Sequence, residues 1–85
     1  MKIGKDSIET FLELIESIGR AKRNLAETLD GRISATVEVL RWLIVADDQI
    51  SQLAAAGIQS QEVVQKVRAA RQRTADLLKS LSGDP

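Results

Sequence analysis

The chain has 85 residues and a mass of 9.3 kDa, so it buries only about 63% of its unfolded surface, enough for one small core and too little for two domains. Its 12 basic and 12 acidic residues give no net charge, hence no general attraction to nucleic acid or anionic membranes. Histidine and cysteine are absent, which excludes disulfides, thiolate zinc sites and histidine-based catalysis.

The composition predicts an all-α fold, because helix-forming residues dominate and the single proline is the last residue. Glycines in two turn-like segments, Asp30-Gly31 and Gly57, divide the chain into helices of about residues 6–29, 33–56 and 60–81. A frayed tail follows over residues 82–85. We expect one domain spanning residues 1–85. Its architecture is either a three-helix up-down-up bundle or a helical hairpin with a third helix.

The first helix is predicted to begin at Asp6, because Asp6 and Glu9 form a capping-box pattern. Gly19 marks either a kink or the close approach of another backbone. Lys22 lies inside the apolar stripe, so we expect it either to reach solvent along its apolar stem or to pair with Asp76. The stripe recurs at helical spacing and consists of Ile8, Phe11, Leu12, Ile15, Ile18, Leu25 and Leu29.

The second helix is predicted to be central, because its apolar residues cover more than half of the helical wheel. Leu40 and Ile44 are therefore expected in the core. Trp42 lies at the edge of the apolar arc and is either a core residue or an exposed anchor for a partner. A β-strand over VLRWLIV is the weaker alternative, because the chain offers no second strand to pair with it.

An acidic residue lies within the apolar arc of the second helix. A buried carboxylate requires a basic or amide partner. When the chain is folded about turns near residues 31 and 58, Asp47 comes level with Arg68 and Arg71. We therefore expect Asp47 to pair with one of them, in the same chain or across a dimer.

The third helix is predicted to begin at Ser60, which is a suitable N-cap. Basic residues flank its apolar seam on both sides, with Lys66 and Arg73 on one side and Arg68 and Arg71 on the other. Charges in these positions are typical of the partner-facing sites of a coiled coil. The seam alternates four- and three-residue spacing and consists of Val63, Val67, Ala70, Thr74, Leu77 and Leu81.

No catalytic, cofactor or metal motif is recognisable, since the chain lacks a P-loop, a nucleophile elbow and a dinucleotide fingerprint. We therefore expect a non-enzymatic helical protein–protein interaction module, an adaptor or regulator that self-associates as a homodimer. The alternative is a small nucleic-acid-binding regulator whose dimer assembles the arginines of the third helix. The candidate partner-binding residues are Trp42, Asp47, Lys66, Arg68, Arg71 and Arg73.

The expected location is the cytoplasm, without a membrane partner. The N-terminal segment has no apolar core of signal-peptide length. The longest uninterrupted apolar run, residues 42–46, is far shorter than the ~18 residues needed to span a bilayer.

Overall fold

Three α-helices form the chain: α1 spans Lys5–Leu25, α2 spans Leu29–Ala55 and α3 spans Gln61–Leu81. The structure is a computed structural model that describes residues 5–83, with side chains from residue 7 onward. These described residues contain no β-strand. The all-α prediction is therefore confirmed, and the β-strand alternative for VLRWLIV is wrong.

The boundary between α1 and α2 lies earlier than the sequence pattern predicts. α1 ends at Leu25 rather than at residue 29, and α2 begins at Leu29 rather than near residue 33. The reason is the N-cap of α2, where the Thr28 Oγ1 accepts a hydrogen bond from the Gly31 N–H at 3.0 Å. Gly31 therefore belongs to the first turn of α2 and does not terminate α1.

Two of the predicted features lie at the chain ends. α1 includes residue 5, but the side chain of Asp6, the first residue of the predicted capping box, lies outside the described residues. Residues 84–85 of the predicted frayed tail lie outside them as well. Within the tail, the Ser82 N–H donates to the Leu78 carbonyl at 3.0 Å and caps α3.

The boundary between α2 and α3 follows the prediction. Gly57 has a φ of +78°, the left-handed conformation that glycine adopts without steric cost. The N–H of Ile58 reaches back to the Leu53 carbonyl at 2.8 Å, which ends α2 in a Schellman-type turn. Ser60 then caps α3, because its hydroxyl accepts from the Val63 N–H at 3.4 Å.

The core lies mainly between α2 and α3, and α1 adds two residues to it. Leu43 and Val67 have no solvent-accessible surface. The predicted α3 seam is buried from Val63 to Thr74, whereas its last two residues, Leu77 and Leu81, are only partly buried. The buried apolar residues are Ile8, Leu12, Ala35, Val39, Leu43, Ala46, Ile50, Val63, Val64, Val67 and Ala70.

The α2 core face differs from the predicted one. Ile44 is 40% exposed and Leu40 is only partly buried, so the core prediction is wrong for Ile44. The α2 face that meets α3 runs through Leu43 and Asp47 instead. A wide apolar arc does not indicate which of its edges a neighbouring helix covers. In the structure α3 covers the edge centred on Leu43.

α1 lies against α2 at a point of close approach. A Cβ atom at Gly19 would overlap the Cγ2 of Val39. Of the two predicted roles for Gly19, the structure supports the close approach of α2. The described residues extend over 43 × 25 × 15 Å with a radius of gyration of 14.0 Å, against about 12 Å for a compact domain of this length. The elongated shape leaves long flanks of the helices open.

Candidate functional site

An apolar groove runs along the line where α1 and α2 meet. Its first part is a depression of about 370 Å³. The floor consists of apolar side chains from both helices, and one end is closed by Lys22 and Glu38. The apolar lining residues are Phe11, Ile15, Ile18, Ala35, Val39 and Trp42. We refer to this depression and its continuation below as the α1–α2 groove.

The groove continues past Phe11 and Trp42 into a second depression of about 390 Å³. Phe11 and Trp42 line both depressions, so this aromatic pair stands between them. The second depression is predominantly apolar, with polar groups at its rim. Its apolar lining residues are Ile8, Phe11, Trp42, Val45, Ala46, Ile50 and Leu53.

Large apolar side chains in the groove are open to solvent. Trp42 is 56% exposed and Phe11 is 38% exposed, so the core interpretation of Trp42 is wrong and the exposed alternative describes its position. Ile18 and Val45 are about half exposed on the same face. An exposed apolar patch of this kind is often an interaction site.

The lysine of the α1 stripe pairs within the structure, but not with the expected partner. The Lys22 Nζ donates to the Glu38 Oε1 at 3.0 Å, across the α1–α2 contact. Asp76, the predicted partner, accepts from Gln72 instead. Both members of the pair remain about half exposed, so Lys22 also reaches solvent, as the alternative to pairing predicted.

A second site surrounds Asp47 on the α3 side of α2. The Asp47 side chain is only 9% exposed. Its Oδ2 accepts from the Arg71 Nη1 at 3.1 Å, and its Oδ1 accepts from the Arg68 Nε at 3.4 Å. The Ser51 hydroxyl donates to the Asp47 Oδ1 at 3.0 Å. The predicted pairing of Asp47 within its own chain is therefore confirmed, with both arginines.

These contacts set the charge of the Asp47 carboxyl. Burial alone would raise its pKa, but the hydrogen bonds from Ser51, Arg71 and Arg68 outweigh burial and hold the pKa below the ordinary value of 3.8. The carboxylate is thus charged and fully engaged at neutral pH. A group in this state is a weak general base, since an effective one has a pKa near the working pH.

The other two basic candidates face α1 rather than α2. The Arg73 Nη2 donates to the Glu16 Oε1 at 2.7 Å, and Lys66 pairs with Glu9. The structure therefore brings Arg68 and Arg71 together and places Arg73 on the opposite flank of α3. Each of these three arginines lies within hydrogen-bond distance of a carboxylate.

The described side chains, those of residues 7–83, include no cluster of three acidic residues able to bind a metal ion. None of the three helices between residues 5 and 83 has the length and apolarity required to cross a bilayer.

Phe11 and Ser51 belong to these sites but are not among the predicted candidates. The spacing places Phe11 in the apolar stripe of α1 and does not indicate that α2 leaves it uncovered. Ser51 completes the polar contacts of Asp47, and its position four residues later on the same helix could have revealed it, since such pairs are neighbours on a helix.

Comparison with protein-family models, with curated proteins and with solved structures finds no match for this chain.

Proposed function

We propose that the protein is a non-enzymatic helical interaction module that self-associates and acts as an adaptor or regulator by binding another protein. The observation that carries this proposal is the α1–α2 groove, in which Trp42 is 56% exposed beside Phe11. Tryptophan supplies a large contact area and is enriched among the residues that dominate binding energy. A helical surface of this kind suits a protein partner.

The arrangement of the helices supports a bundle as the scaffold. α1 and α3 meet in the same chain direction, because Glu9 pairs with Lys66 and Glu16 pairs with Arg73. α1 and α2 meet in opposite directions, because Lys22 pairs with Glu38 whereas Gly19, earlier in α1, lies against Val39, later in α2. We propose an up-down-up order on these contacts, and the cytoplasm as the location.

A nucleic-acid-binding regulator, the alternative function, receives less support. Phosphate binding requires basic side chains that are free to neutralise phosphates. Here Arg68 and Arg71 share the carboxylate of Asp47, and Arg73 lies across the helix against Glu16. Heparin retention that falls steeply with salt would favour this alternative over the interaction module.

The test of self-association is the mass in solution. Size-exclusion chromatography with light scattering should give about twice the chain mass of 9.3 kDa at micromolar concentration, because small domains with open apolar faces gain burial by pairing. A mass of one chain up to the highest soluble concentration would contradict the proposed self-association.

A further inference from the structure

We infer that the α1–α2 groove is the surface on which a second copy of this chain docks, so that Trp42 of each copy enters a depression of the other. The inference rests on the proposed self-association and adds the surface and its occupant. Three properties of the groove favour a second copy: its area, its charge and its two-part shape.

The exposed apolar area is of the size that a dimer requires. Leu14, 57% exposed, lies on the same edge of α1 as Phe11 and Ile18. Together with Trp42 and Val45 these side chains leave on the order of 450 Å² of apolar surface open. Since about two thirds of a homodimer interface is apolar, two such faces correspond to roughly 1,400 Å² of buried area. Stable interfaces bury about 1,200–2,000 Å².

The charge of the groove is compatible with its own copy. In a two-fold dimer the same patch faces itself, so a patch of one charge sign would repel its partner. The charged side chains lining the groove are Lys22 and Glu38, and these two neutralise each other at 3.0 Å. A basic or acidic target peptide would find no complementary charge here.

The shape of the groove suits a two-fold arrangement. The two depressions have similar volumes, about 370 and 390 Å³, and the pair of Phe11 and Trp42 stands between them. Because Trp42 is 56% exposed, a two-fold axis beside this pair would allow the Trp42 of each copy to meet a depression of the other. A self-complementary surface of this kind is what an isologous interface needs.

The first experiment compares two charge insertions on opposite edges of α2. Trp42→Arg should raise the dissociation constant of the dimer by at least about 30-fold, as the loss of an interface hot spot does. Ile44→Arg is the matched control, because Ile44 is 40% exposed but lines the Asp47 side of α2 rather than the groove. It should change the dissociation constant by less than about threefold. Circular dichroism checks that both variants remain helical.

The second experiment uses the only tryptophan of the chain, and its first measurement is made on the unsubstituted protein. On dilution through the dimer–monomer transition, the emission of Trp42 should shift to the red and become more accessible to acrylamide. Val45→Arg, at the second depression, should produce the monomer-like emission at all concentrations. This readout decides the matter even if Trp42→Arg does not fold.

The outcomes separate the two proposals. The groove is not the docking surface if the dimer persists in both Trp42→Arg and Val45→Arg. The same conclusion follows if the emission of Trp42 does not change while a dimer dissociates on dilution. Either result would leave self-association intact. A chain that is monomeric at every concentration would overturn both. Blue-shifted Trp42 emission in a monomer, seen only on adding a different protein, would assign the groove to that protein instead of a second copy.

Discussion

The α2–α3 interface and the α1–α2 interface begin from similar apolar patterns and reach different degrees of burial. Between α2 and α3, Leu43 and Val67 are completely enclosed. α1 carries an apolar stripe of comparable length, yet only Ile8 and Leu12 of that stripe are buried. An apolar stripe therefore indicates which face of a helix can be buried. How much of that face is buried depends on the position of the neighbouring helices.

The polar contacts of the two interfaces differ in the same way. The α2–α3 interface encloses a carboxylate, Asp47, and supplies it with Ser51, Arg68 and Arg71. α1 is joined to α2 by the Lys22–Glu38 pair, whose members are about half exposed. Exposed ion pairs contribute little to stability because water screens them. We therefore expect stability to reside mainly in the α2–α3 interface.

The largest expected effect is the loss of the α2–α3 core. Leu43→Ala should reduce the free energy of unfolding by about 2–5 kcal/mol, because the removed atoms are fully enclosed and leave a cavity. The adjacent Ile44→Ala is the control and should cost less than ~1 kcal/mol, since Ile44 is 40% exposed. Urea unfolding monitored by circular dichroism measures both. Equal losses would mean that α2 is rotated relative to the structure.

The Asp47 site should give the next largest effect. Asp47→Ala removes three side-chain hydrogen bonds and should cost about 1–3 kcal/mol. The cost stays moderate because Arg68 and Arg71 are themselves about half exposed and return to water. Asp48→Ala, at an exposed neighbour, should change stability by less than ~0.5 kcal/mol. Indistinguishable melting temperatures would show that the Asp47 contacts contribute nothing.

The Asp47 carboxyl should also make the stability of the fold depend on pH in the acid range. Its pKa in the folded chain lies below the ordinary value of 3.8, so its charge stabilises the fold above that pH. This contribution is lost as the pH falls through the lower folded value. Stability should therefore decline more steeply below about pH 4 in the wild type than in Asp47→Asn. Parallel pH profiles from urea unfolding would contradict the lowered pKa.

The contact between α1 and α2 can be tested at its closest point. Gly19→Ala gains about 1 kcal/mol of helix propensity, but the new Cβ overlaps the buried Val39. Overpacking costs about 1–3 kcal/mol, so the net result should be a loss of up to ~2 kcal/mol. Ser17→Ala, at an exposed position of the same helix, should be neutral or slightly stabilising. A stabilised Gly19→Ala variant would show that α1 can move away from α2 without cost.

Local rules predicted the parts of the molecule that depend on a few neighbouring residues. Gly57 and Ser60 follow the preferences of helix ends, and simple alignment of two helices brought Asp47 to Arg68 and Arg71. The predicted position of the turn between α1 and α2 is wrong because two signals for a helix end compete in this segment. Thr28 caps α2 ahead of the glycine at position 31, which therefore lies inside the helix.

The groove could not be predicted, because its existence depends on tertiary contacts. The sequence shows that α2 is apolar over a wide arc, and it does not show that α1 and α3 together cover only part of that arc. Trp42 and Val45 remain exposed on the uncovered part. Only the relative placement of the helices decides between a core tryptophan and an exposed one.

The smallest expected effect concerns the exposed ion pair between α1 and α2. In a double-mutant cycle with Lys22→Ala and Glu38→Ala, the coupling free energy should be about 0.5 kcal/mol or less, since both side chains are about half exposed. It should shrink further at about 1 M salt, where charges are screened within about 3 Å. A coupling above ~1 kcal/mol that persists in salt would mean that the pair is shielded from water. Because Lys22 and Glu38 close one end of the groove, the cycle is measured in the Val45→Arg background, where a second copy does not cover the pair.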